Sequence, residues 1–122
     1  MAVARVRISA NFGRNLEAMR LFLEENDAAQ AFPRLLDALF ERLIPNIKAH
    51  PGLGRDLLAR APGSAEGGFI HQRVGKLLAD GELREYILED YLVLYAVTGS
   101  QITLLAIKHH RQLSFDLPRF WS

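Results

Sequence analysis

A run of apolar residues between positions 28 and 47 constrains this chain most. Ala28, Ala31, Phe32, Leu35, Leu36, Leu39, Phe40, Leu43, Ile44 and Ile47 recur there at spacings of three and four. A helix gathers them into one wide stripe, and such a stripe has to be buried against another layer, most simply a sheet. Pro33 is tolerated if it lies in the first turn. Pro45 has no N–H to continue the ladder, so a kink or break is expected there.

Before this helix, residues 3–9 alternate: Ala4, Val6 and Ile8 face one way, Arg5, Arg7 and Ser9 the other. That period of two is a half-buried strand with a solvated outer face. Ser9 and Asn11 are suitable N-caps for a first helix with Phe12, Leu16, Met19 and Leu23 on its apolar stripe and Phe22 widening it. Asn26-Asp27 ends this helix and suits the start of the next, so the two are expected to form an antiparallel hairpin. His50-Pro51-Gly52-Leu53-Gly54-Arg55 then interrupts helical structure.

Residues 61–82 are read as an insertion holding a short helix. Ser64 would cap it, Ile70, Val74, Leu77 and Leu78 would pack, and Gly67, Gly68 and Gly75 weaken it. The C-terminal half is rich in strand formers. Leu83–Leu88, Tyr91–Val97 and Ile102–Ile107 are separated by Glu89-Asp90 and by Thr98-Gly99-Ser100-Gln101, the second link having hairpin chemistry. The last two strands are apolar on both faces, hence central and covered. The fold class is therefore α+β, with an N-terminal strand and an α-helical hairpin packed on an antiparallel sheet in the order β-α-α-(α)-β-β-β. At 122 residues there is room for one domain, 1–122, and not for two.

Composition narrows the function classes. With 49% hydrophobic and 24% charged residues the chain is ordinary for a globular protein, which excludes disorder as its main state. It has no cysteine, so thiol catalysis, disulfides and zinc–thiolate sites are excluded. No apolar run reaches the roughly eighteen residues of a membrane span, and no signal peptide is read at the start, so a cytoplasmic protein is expected. Net charge is +1, low for a protein that lives on phosphate contacts. The charge is unevenly placed, however. Arg5, Arg7, Arg14 and Arg20 make the start basic and Lys108, Arg111 and Arg119 the end, while Asp80, Glu82, Glu85, Glu89 and Asp90 make the stretch between acidic.

Several chemistries can be weighed residue by residue. Gly52-Leu53-Gly54 follows a helix and lacks a third glycine, so it reads as a chain-reversing turn rather than a dinucleotide loop. His109 and His110 are adjacent on an extended segment and point to opposite faces, which disfavours a shared metal. Ser9, Ser64, Ser100 and Ser114 lack the setting of a nucleophile and read as caps and turns. Lys108-His109-His110-Arg111-Gln112 is the most suggestive cluster: a strand ends there in groups able to bind phosphate, move protons or grip an acidic partner. An exposed strand end with solubilising charge is the simpler reading. Arg84 lies beside Glu85 and near Glu82, so an ion pair competes with any functional role.

Taken in order, Val6-Arg7-Ile8-Ser9, the long second helix, the turn from His50 to Arg55, Leu83-Arg84-Glu85-Tyr86, Tyr91-Leu92-Val93-Leu94-Tyr95 and Ile107-Lys108-His109-His110-Arg111-Gln112 resemble the RelE/ParE toxin superfamily. The likeness covers roughly residues 3–112, apart from 61–82, and rests on order and spacing rather than on one motif. It implies the toxin of a type II toxin–antitoxin pair, neutralised by a cognate antitoxin whose tail folds on binding, as a homodimer or a hetero-oligomer with that antitoxin. It implies no cofactor and no metal.

Within that superfamily, RelE-like members cleave messenger RNA on the ribosome and ParE-like members inhibit DNA gyrase. The chain departs from the RelE-like pattern. Leu92 stands where an arginine follows the central tyrosine, the preceding strand offers Arg84 but no lysine, and the downstream aromatic is Phe115, which has no hydroxyl. His109, His110 and Arg111 are the remaining candidates for catalysis, a histidine as base and the arginine facing the phosphorane. The ParE-like reading is preferred, with Arg84, Lys108, Arg111, Gln112, Phe115 and Trp121 as candidates for contact with target or antitoxin. The alternatives are a ribosome-dependent endoribonuclease and a non-toxic binding module of the same fold.

Overall fold

The structure, a computed structural model, describes residues 4–56 and 81–109. Its elements run β1 (Arg5–Ile8), α1 (Ala10–Glu25), α2 (Ala31–Ala38), a π-helical turn (Leu39–Leu43), α3 (Ile44–Ala49), a 3-10 turn (Pro51–Leu53), β2 (Arg55–Asp56), β3 (Glu82–Leu88), β4 (Tyr91–Thr98) and β5 (Gln101–His109). The helix expected at 61–82 lies outside the described residues for most of its length; its last position, Glu82, instead opens β3.

Ser9 caps α1 as expected, its hydroxyl accepting from the Phe12 amide at 3.1 Å. Asn11 is not a cap but lies inside the helix. At the other end Asp27 adopts a left-handed conformation (φ 55°), and the amides of Asp27 and Ala28 reach back to the carbonyls of Glu24 and Leu23. This double closure satisfies carbonyls that the helix end leaves open. Asn26-Asp27 therefore finishes α1 and does not start α2, whose N-cap position is held by Gln30 with no side-chain bond.

Pro33 sits in the first turn of α2, where its missing N–H matters little. The disturbance expected from Pro45 takes the form of the π-helical turn just before it. There the Ile44 amide reaches the Leu39 carbonyl, one residue farther than in an α-helix. The wider turn is the local answer to a proline ring that would strike the carbonyl four residues earlier.

The five strands form one sheet in the order β1-β5-β4-β3-β2. β3, β4 and β5 make the expected antiparallel meander, with two-residue links at Glu89-Asp90 and Gly99-Ser100. Gly99 has φ +60°, the conformation its lack of a Cβ permits. β1 pairs in parallel with β5, Arg5 opposite Gln101 and Ile8 opposite Leu104. β2, which the sequence pattern does not announce, pairs antiparallel with β3 at only Glu85 and Arg84.

One face of this sheet carries the helices. Phe12, Met19, Leu35, Leu39, Leu43 and Ile47 pack with Leu88, Val93, Tyr95, Ile102, Leu104 and Ile107 in a single cluster. Full burial of a side chain of this size stabilises by about 1.5–3 kcal/mol. Phe22 and Phe40, assigned to the stripes by spacing, lie on helix flanks turned from the sheet and are 60% and 52% exposed. On the other face Leu83, Leu94, Ala96 and Ala106 are buried too, so β4 and β5 are covered on both sides.

A bulge decides how α1 meets the sheet. Leu94 lies opposite Ala106 but Tyr95 opposite Leu104, which leaves Leu105 as the extra residue on β5. Its carbonyl is taken up by α1, accepting from the Ser9 hydroxyl at 3.1 Å and the Asn11 amide group at 3.0 Å. Asn15 Oδ1 then accepts from the Ile107 amide at 3.0 Å. The N-cap Ser9 and two asparagines of α1 thus continue the hydrogen bonding of β5 where β1 has ended.

Candidate interaction site

Two clusters gather the polar groups of the sheet. The first lies where the 3-10 turn meets β3 and β4. Tyr95 is buried, and its hydroxyl donates to the Pro51 carbonyl at 2.9 Å while accepting from the Gly54 amide at 2.8 Å. Arg84, three-quarters or more of its side chain withdrawn from solvent, donates through Nη1 to the Gly54 carbonyl at 2.6 Å and through Nε to Glu82 at 2.9 Å. The turn is therefore held through both polar groups of Gly54. A Cβ there would fall 2.7 Å from the Tyr95 hydroxyl and 2.9 Å from the Glu85 carbonyl oxygen, so only glycine fits.

The electrostatics keep this cluster in one protonation state. Burial pushes the Tyr95 phenol above its ordinary pKa, against the smaller opposing pull of the Gly54 amide and Arg84. It stays a donor to Pro51. The hydrogen bond to Glu82 raises Arg84 further, so it is a permanent cation.

Beside the cluster, Glu85 is buried and pairs with Arg55 at 2.6 Å. Leu53, Gly54, Arg55, Glu85, Tyr86 and Ile87 line a shallow open recess at this edge. Leu53 and Ile87 are 49% and 64% exposed there.

The second cluster lies at the far end of β5. Lys108 is buried, which corrects the simple picture of an exposed strand end. It faces away from the helices and stands opposite Leu92. His109 points the other way and meets Tyr91 edge-on, the ring centroids 5.5 Å apart. Tyr91 is also raised above the ordinary phenol value, by burial first and by Asp90 and Glu89 after it.

Arg84 and Lys108 thus occupy different faces and different strands, and the structure does not bring them together. His110, Arg111, Gln112, Phe115 and Trp121 lie outside the described residues. Among the described residues no group of three or more His, Asp or Glu side chains has metal-binding geometry, and no helix is long and apolar enough to cross a membrane.

Sequence reasoning missed Tyr95, the Arg55–Glu85 pair and the role of Gly54. A signal for the first two was present. A tyrosine hydroxyl on a strand apolar on both faces has to find a partner, and so does a glutamate on the same strand face as Leu83. The partners themselves lie 30 to 44 positions away in sequence, where no periodic pattern reaches.

A strand, paired helices and a five-stranded sheet with a central antiparallel meander define an α+β domain of the RelE/ParE kind. A sequence-family model described as the ParE toxin of the type II toxin–antitoxin system parDE matches residues 6–114. The chain belongs to the ParE toxin family. Among solved structures, the chromosomal ParDE toxin–antitoxin system from P. aeruginosa contains a chain of similar fold, with a TM-score of 0.58 at 14% identity, over 88% of this chain and 96% of that one. No curated protein matches in sequence.

Proposed function

We propose that this ParE-family toxin acts by binding DNA gyrase rather than by cutting messenger RNA, and that an antitoxin encoded beside it keeps it silent in the cytoplasm. One observation supports the choice of target more than any other: the two described Lys and Arg side chains carried by β3, β4 and β5 themselves are withdrawn from solvent. Arg84 is held by Glu82 and the Gly54 carbonyl, and Lys108 is buried at 8% exposure. Cleavage through 2′-OH attack needs cations free to meet the developing phosphorane charge. Leu92, in place of an arginine, adds none. The net charge of +1 likewise suits a protein ligand better than a ribosome-bound nuclease. On this reading Arg111, Gln112, Phe115 and Trp121 contact the target or the antitoxin, and His109 and His110 are not a general base.

The test runs purified protein in a gyrase supercoiling assay beside a translating-ribosome cleavage assay. Inhibited supercoiling with intact messenger is expected. Codon-specific cuts with unaffected supercoiling would overturn the proposal in favour of the endoribonuclease, with His109, His110 and Arg111 as its catalytic candidates. If expression leaves growth unaffected and both assays are silent, the chain is a non-toxic binding module.

A further inference from the structure

α1 carries two large apolar side chains that its packing on the sheet leaves in solvent. Leu21 is 46% exposed and Phe22 60%. Leu21 belongs to a stripe of Arg14, Ala18, Leu21 and Glu25, whose spacing of four, three and four lines up one side of a helix. All four residues are exposed, on the side of α1 turned from the buried Phe12 and Met19. The helical rotation puts Phe22 on one flank of the stripe and Glu17 and Glu24 on the other. Both of these acids are already bridged by Arg20.

Single exposed apolar residues are ordinary on a protein surface. A stripe with an apolar middle and opposite charges at its two ends is different, because it fits a reversed copy of itself. Two such helices, laid antiparallel about a two-fold axis midway between Ala18 and Leu21, set Arg14 of each against Glu25 of the other. Leu21 then meets Ala18 of the second copy, a large side chain over a small one. The two Phe22 rings come to the same side of the seam and cover it. A parallel pairing would instead place arginine on arginine and glutamate on glutamate, which is unfavourable. Arg14 has partners in its own chain, Asn11 Oδ1 at 3.5 Å among them, but a guanidinium has several N–H donors and stays positive whatever it bonds.

We infer that the outward stripe of α1 is a self-association surface, on which a second copy of this chain docks antiparallel with Arg14–Glu25 ion pairs closing both ends. One helix seam is smaller than the roughly 800 Å² per partner of a standard interface, so the dimer is weak and forms as concentration rises. It forms whichever target the toxin has.

Sedimentation equilibrium of the full chain tests it. The protein is expected to pass from monomer to dimer as concentration is raised to about 0.5 mM, and added salt should shift it back. Leu21→Glu should weaken dimerisation by about tenfold or more with little change in melting temperature. Arg14→Glu and Glu25→Arg each put like charges at both contacts, so each should be monomeric alone, and the two should form a heterodimer when mixed. The Arg14→Glu/Glu25→Arg double variant exchanges the two ends and should dimerise as the unaltered chain does.

A chain that stays monomeric at every concentration overturns the inference. So does a dimer that survives Leu21→Glu unweakened, or one that Arg14→Glu leaves untouched. A monomer whose complex with the product of the neighbouring reading frame is lost in Leu21→Glu would assign the stripe to that partner, and would equally overturn it.

Discussion

Tyr95 holds the turn at residues 51–54 through a single oxygen atom, and that oxygen has two partners. Removing it leaves the Gly54 amide without an acceptor in a buried place and the Pro51 carbonyl without a donor. Tyr95→Phe is therefore expected to destabilise the protein by about 1–3 kcal/mol, the range for a buried polar group left unmade. Urea denaturation would measure it, and a loss near zero would mean that water replaces the hydroxyl. The sequence showed Tyr95 only as a strand residue with a polar tip. What it could not show was that a turn 41 positions earlier lies within 2.8 Å.

At the scale of elements, the seam between α1 and β5 matters most, because it sets where the helix layer sits over the meander. The bulge at Leu105 breaks the regular pairing, and Ser9, Asn11 and Asn15 replace the lost partners. Asn15→Ala leaves the Ile107 amide unpaired, with an expected loss of about 1–3 kcal/mol. Asn15→Asp keeps the acceptor oxygen and is expected to lose less. Thermal melting of the two variants side by side checks this; equal losses would show that the side chain acts by packing instead.

The helices themselves were legible from spacing, as was the disturbance near Pro45. Its form was not, because a π-helical turn and a simple kink give the same apolar period over so short a run. Nor was β2, since two residues are too few to alternate.

For the molecule as a whole, alkaline pH is the solution condition with a clear sign. Tyr95 and Tyr91 both have phenols raised by burial, so the folded state favours the protonated form. That stability is fully present below the ordinary tyrosine pKa of about 10 and is lost as pH rises from there toward the higher folded values. Denaturation midpoints should hold steady from pH 8 and fall beyond about pH 10. Tyr95→Phe should flatten part of the fall; an unchanged slope in that variant would assign the effect to other groups.

The same scale governs function. Arg5 and Arg7 lie on one edge strand of the sheet, while Glu82, Glu85 and Glu89 lie toward the other side and pair with Arg84, Arg55 and Arg42. Of the candidate site residues, the sequence singled out Lys108 and Arg84 by type and position, but their burial and ion pairing depend on what lies above and beside them.

Local periodicity determined which segments are helix or strand and which faces they bury, because apolar spacing is a property of neighbours in the chain. The family likeness was legible for the same reason, through the order of those segments. Strand order, the parallel pairing of β1 with β5, the bulge and its asparagine partners, and the burial of Lys108 were decided only in the tertiary structure. Each depends on contacts between residues far apart in the chain, where closure and packing choose among pairings that local pattern leaves equal.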